Sequence, residues 1–333
     1  MNRLLGVELD RFASRTLIRL GVLVVLIVSG LAVFAAWQAA SPPSATEIAQ
    51  AQTYYQQNLD DWNLHGDQQI ADCRTSEQNA KDDATAAGTD ATSIDFGCDQ
   101  MTAPTLENFL GPAPEFVADS EMLLSGLANL YVLAAVLLAV SFVAAEFSTG
   151  AIGNWLTFAP RRTRVYLSKM LAAGIGAIPV TVLGVGVFLG GSWLAYQHFD
   201  ALGAGDAGPL WAMAGRIVAL AVGAAVGGAG LGFLVRHTAA ALGILLAWAV
   251  VVEGILGNVV TALRPWTLTL NLSAWVNGSA EYYTTVCTTT ADGQTCTSFA
   301  HTITQTQGGL VLGGVVVAHA LLALVVFRRP DVA

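Results

Sequence analysis

Three ionisable residues, Arg216, Glu253 and His319, fall inside long apolar runs of this chain, with Asn129 as an amide in another. Burying such a group in hydrocarbon is costly unless it is paired or hydrated. Each is therefore half of an internal pair or a contact for a substrate or ion. Arg216 and Glu253 lie towards the same side of their runs, and a mutual pair is the favoured reading. A carboxylate at Glu253 standing alone would instead suit a proton relay. Other chemistry is scarce. The only two lysines, Lys81 and Lys169, follow Ala80 and Ser168, so neither has the Gly-Lys-Ser/Thr context with which a P-loop cradles phosphates. No Ser-His-Asp, HExxH or GxSxG arrangement joins a nucleophile to a base, which argues against an enzyme. The five histidines are scattered, and Cys73, Cys98, Cys287 and Cys296 match no zinc spacing. No catalytic, cofactor-binding or metal site is expected in this chain, and no nucleic-acid partner.

The elements that must position these residues follow from hydropathy. Of 333 residues, 54% are hydrophobic and 12% charged, too apolar for a soluble surface. Runs able to cross about 30 Å of hydrocarbon, roughly 20 residues each, occur at 17–39, 122–145, 165–196, 210–235, 239–263 and 309–327. The expected fold class is an all-α polytopic membrane protein with six transmembrane helices. Pro179 in the third run should kink that helix rather than end it. The first run is longer than the roughly 7–15 residues of a signal-peptide core and is read as a retained span.

Orientation follows from Lys and Arg near the span ends. An N-terminus in the cytoplasm places 11 of the 15 basic residues there and leaves Arg74, Lys81 and Arg264 outside. The tail 328–333 is then cytoplasmic too. All four cysteines fall in the outer segments 40–121 and 264–308, as expected of disulfides in an oxidising compartment, and proximity favours Cys73–Cys98 and Cys287–Cys296. The first outer segment carries 15 acidic and two basic residues over 41–121. Tyr55, Leu59, Trp62 and Tyr54 suggest one apolar helical stripe, and the segment is read as a small helical hairpin packed on the membrane domain. In the second, VCTTTADGQTC reads as two strands around an Asp292-Gly293 turn.

Two segments are predicted to be amphipathic. In 146–164, Ser148 is a plausible N-cap, Ile152, Trp155 and Leu156 form an apolar face, and Pro160 stops the helix. Gly150, Gly153 and Asn154 form a small, polar opposite face on which another protein's groove could close, and Arg161, Arg162 and Arg164 follow; an ordinary interfacial helix with these arginines as cytoplasmic anchors fits the same pattern. In residues 1–16, Leu5, Leu9, Phe12 and Ala13 oppose Arg3, Glu8, Arg11 and Arg15, which predicts an interfacial helix in the membrane plane.

An amphipathic start and six spans, with Glu146, Thr149-Gly150, a short helix, Pro160-Arg161, Arg164 and then Lys169 after the second span, resemble the permease subunit of an ABC-2 type exporter. The resemblance implies that the short helix couples to a separate cytoplasmic ABC ATPase, which carries the ATP and Mg. It assigns Glu146, Gly150, Asn154, Trp155, Arg161 and Arg164 to that coupling. It also implies a second permease chain, in a homo- or heterodimer, a lipid-embedded path, and a short re-entrant segment near 265–278. The Ala, Gly and Val richness hints at a bacterial plasma membrane. The large first outer segment and the Cys287–Cys296 hairpin are additions to the family plan. Two rival readings are an ion-gradient-driven secondary transporter and a membrane sensor or scaffold with an acidic outer domain.

Overall fold

The structure, a computed structural model, describes residues 2–86, 88, 90–92, 94–158, 161–290 and 293–329, without the side chains of residues 154–156 and 158 or of much of the hairpin tip. The expected helix stop at Pro160 and turn residue Asp292 lie outside the described residues, as do the side chains of Asn154, Trp155 and Leu156. The order is α1 (Asn2–Ser14), α2 (Thr16–Ala40), α3 (Ala45–Ala86), α4 (Glu107–Leu110), α5 (Phe116–Ser148), α6 (Ala151–Phe158), α7 (Arg162–His198), α8 (Gly208–Val235) and α9 (Thr238–Ala247). A π-helical stretch, Trp248–Leu256, continues α9 into α10 (Gly257–Val259), and a 3₁₀ turn, Thr261–Trp266, leads to α11 (Leu268–Asn277). Strands β1 (Ser279–Thr290) and β2 (Gly293–Thr304) then pair, and α12 (Gln305–Arg328) closes the chain.

Six helices are long and apolar enough to cross a membrane: α2, α5, α7, α8, the continuous Thr238–Val259 segment, and α12. They are the six expected from hydropathy, with different ends. The second begins at Phe116 because Pro114 bars earlier helix and Asp119 accepts the Glu115 amide at 3.0 Å across the first turn. Pro179 lies inside α7 without ending it. Four exposed tryptophans, Trp37, Trp193, Trp211 and Trp266, lie near the span ends remote from α1, where a membrane interface favours amphipathic rings.

Helices α5, α7 and α8 form the packed centre, whereas the fifth and sixth spans keep most of their surface exposed. Glycines set the close crossings. A Cβ at Gly228 would meet the Val136 carbonyl oxygen at 2.7 Å, and one at Gly232 the Val143 Cβ at 2.9 Å, so this pair seats α8 against α5. Gly223 and Gly227 instead face Val316 of α12. Both small-residue pairs of α8 thus serve packing within the chain.

Residues 41–114 form a separate compact unit. Ser44 and Glu47 open α3 reciprocally, the Ser44 amide donating to Glu47 at 2.7 Å and the Glu47 amide to Ser44 Oγ at 3.2 Å. The expected helical hairpin is instead one 42-residue helix with a largely irregular return. The return segment lacks an apolar period and contains Gly97, Pro104, Gly111 and Pro112, which do not sustain a helix. Ala51, Tyr55, Leu59, Trp62 and Gly66 form the sheltered stripe, while Tyr54 is exposed. Cys73–Cys98 ties the return to α3.

The second disulfide, Cys287–Cys296, joins directly opposed residues of the antiparallel β1–β2 pair. That hairpin extends well beyond the cysteines, to Ser279↔Thr304, because Tyr282, Tyr283, Phe299 and the Thr-rich flanks favour strand. The membrane fold is therefore helical apart from one hairpin.

Candidate functional site

The densest polar constellation lies where α1, α5 and α7 meet. Lys169 is fully buried, its Nζ 2.8 Å from Glu8 Oε2 and 2.5 Å from Glu146 Oε2. Arg15 donates to the other Glu146 oxygen at 3.0 Å and to the Ser141 carbonyl at 3.1 Å, and Arg11 stands 3.9 Å from Glu146. Both Lys169 and Arg15 also lie over the Phe142 ring, at 5.0 and 5.2 Å. Glu8, Lys169 and Glu146 thus satisfy one another where each would be costly alone, while Arg11 and Arg15 reach Glu146 from the part-exposed edge.

Helix geometry explains the cluster. Glu8, Arg11 and Phe12 recur at intervals of three and four and share one face of α1, and Arg15 follows just past its end. That face turns inward. Leu4, Leu5 and Leu9 pack against the core and Phe12 is part of it, so α1 docks on the bundle rather than lying in lipid with Glu8 exposed. The amphipathic reading of α1 assigned every charge to the solvent side. The overlooked signal was Lys169, a cation followed by the apolar run of span three and in need of a buried partner. Glu146, expected in partner contact, is itself 3% exposed and positions the junction from within.

Beyond the cluster the chain turns sharply. Ser148 closes α5 rather than capping α6, its hydroxyl donating back to Ala145 O at 3.0 Å. Gly150 makes the turn with φ of 69°, a left-handed conformation that penalises residues with a Cβ. Helix α6 follows with Ile152 buried and Gly153 exposed, open space lying around its Cα. Arg161 and Arg164 are exposed, whereas Arg162 donates to the Arg329 carbonyl at 2.8 Å and ties the start of α7 to the end of α12. A short helix on a hinge glycine is thus followed by two exposed arginines, and the end of α5 that leads into it is held by the buried Lys169–Glu146 contact.

The intramembrane polar residues are placed elsewhere. The expected Arg216–Glu253 pair does not form. Glu253 accepts from the Leu268 and Thr269 amides at 2.8 and 3.1 Å and from Trp248 Nε1 at 3.1 Å, capping the N-terminus of α11. Arg216 points at the other end of that helix, with Nη1 3.5 Å from Trp275 O, while Trp275 Nε1 donates to Arg216 O at 3.0 Å. Unpaired amides at a helix start attract an anion and unpaired carbonyls at its end a cation, so each charge goes to the complementary terminus. The π-helical stretch carries Glu253 to this position. His319 donates from Nδ1 to Val315 O at 2.9 Å, and Gly230 of α8 passes close to its backbone. Asn129 is exposed on α5. Arg216, Glu253 and His319 are not brought together, and no cluster of three or more metal-binding side chains occurs among the described residues. Comparison with known protein families, with curated proteins and with solved structures returns no match.

Proposed function

We propose that this chain is the membrane-spanning permease subunit of an ABC-2 type exporter, powered by a separate cytoplasmic ATPase that binds ATP and Mg and docks on α6. The observation that carries the reading is the connection between the second and third spans. Gly150 breaks the chain at φ of 69°, α6 presents an open, side-chain-free Gly153, and Arg161 and Arg164 stand exposed beside it. Such a helix offers another protein a surface to close on, and the buried Glu8–Lys169–Glu146 contacts give it a rigid footing from which a push travels into α5 and α7.

In this reading the chain sits in a bacterial plasma membrane with both ends cytoplasmic, and the 41–114 unit and the β1–β2 hairpin are extracytoplasmic, where their disulfides persist. The exposed faces of the fifth and sixth spans meet lipid or a second permease chain. Against an ion-driven carrier stands the engagement of Glu253, its candidate relay, as a helix cap. The test is affinity capture of the tagged chain from its native membrane in mild detergent. A stoichiometric ABC ATPase in the eluate is the expected result, and its consistent absence would refute the assignment.

A further inference from the structure

The contacts of α1 describe a closure as well as an anchor. Phe12 sits in a notch of α7 so tight that a Cβ at Gly176 would lie 2.7 Å from its ring. On its other side the ring packs edge-on against Phe142, with centroids 5.2 Å apart. Behind Phe12 lies a small cavity between α2, α5 and α7, lined also by Val25, Tyr131, Leu138, Ala177 and Thr181. Its wall is mostly apolar; of its lining residues, Tyr131 shares a hydrogen bond with the Ser29 hydroxyl at 2.9 Å and Thr181 donates to Ala177 O. Phe12 closes this space at the α1 end of the bundle.

We propose that α1 is a hinged lid over the α2–α5–α7 crevice, with Phe12 as its plug and the Glu8–Lys169 pair as its latch. The hinge is Arg15, the single non-helical residue between α1 and α2. The latch chemistry suits release. In a buried ion pair, attraction is largely offset by desolvation, so ions that regain water on opening lose little, whereas an equally extensive apolar seat would hold permanently. The outward side of α1, with Arg3, Gly6, Val7, Asp10 and Ser14, remains exposed and gives a partner or headgroup something to grip. Opening would extend the cavity along Thr181 and Tyr131 to the bundle end.

The test is the reaction rate of a single introduced cysteine, Thr181→Cys, with a small charged thiosulfonate in the detergent-solubilised full chain, the four native cysteines being held in disulfides. The reporter should react slowly in the parent. Glu8→Gln, which weakens the latch, and Gly176→Val, which expels the plug without touching a charge, should each accelerate it roughly ten- to a hundredfold, the shift expected on losing one charge-assisted hydrogen bond. A second reporter, Ala225→Cys in the buried face of α8, should stay slow in both backgrounds. Unchanged rates at Thr181→Cys, or equal acceleration at both reporters from general loosening, would overturn the lid.

Discussion

Glu253 and Arg216 hold opposite ends of the same ten-residue helix, the carboxylate at the amides of Leu268 and Thr269 and the guanidinium beside the carbonyl of Trp275. Each charge is satisfied by a helix terminus, so neither needs the other. Glu253→Ala should cost about 1–2 kcal/mol, the usual worth of a helix cap reinforced by the helix dipole. Since the two side chains share no contact, a double-mutant cycle with Arg216→Ala should be additive to within about 0.5 kcal/mol. Thermal or denaturant unfolding in detergent measures this, and a coupling well above that value would restore the direct pair.

Lys169→Met should be the most destabilising of the charge changes, by about 3–5 kcal/mol, because it leaves Glu8 without its buried cation and Glu146 with the arginines alone. Adding Glu8→Leu to Lys169→Met should recover part of that loss, because an apolar pair of similar volume replaces a buried carboxylate that has lost its lysine. Unfolding midpoints decide this, and a double variant less stable than the single one would contradict the proposed balance.

Gly150 is a conformational requirement before it is a surface. Gly150→Ala meets nothing within 4 Å yet must adopt φ of 69°, at a cost of about 1 kcal/mol. Gly153 has the same open surroundings without that strain, so Gly153→Ala should be neutral or slightly stabilising through helix propensity. Comparing the two melting temperatures separates backbone strain from partner contact.

Acid should loosen the return segment of the 41–114 unit. The carboxyl of Glu77 is held below the usual carboxylate range, first by the hydrogen bond from Lys81 and then by the Phe96 amide at 3.2 Å. A depressed folded-state value means stabilisation that is present above the unfolded value, about pH 4.3, and is lost as pH falls through the folded one. Protection of the Phe96 amide from hydrogen exchange, taken relative to the intrinsic rate at each pH, should therefore fall below about pH 4.3 in the parent. In Glu77→Gln that protection should already be low at neutral pH and nearly flat with acid, and an unchanged protection profile in the variant would rule out this carboxylate.

What the sequence revealed and what it hid divide along physical lines. The six spans were legible because crossing hydrocarbon demands long apolar runs, and the disulfide pairs because their partners are near in sequence. The partners of buried charges were not legible. Glu8 and Lys169 are 161 residues apart, and only the fold shows that the α1 face bearing Glu8 turns inward. Likewise, an Arg and a Glu at similar depth suggested each other, while the helix between them, which outcompetes a direct pair, required the π-helical register of Trp248–Leu256. The short helix after the second span was visible from periodicity, but its Gly150 turn took the role assigned to Ser148.

The most direct test of the exporter account is ATP hydrolysis by the captured ATPase, reconstituted with the parent chain and with Gly153→Glu. The account predicts that the parent stimulates hydrolysis and that the variant, equally expressed and with an unchanged melting temperature, does not. Full stimulation by Gly153→Glu would contradict docking on α6.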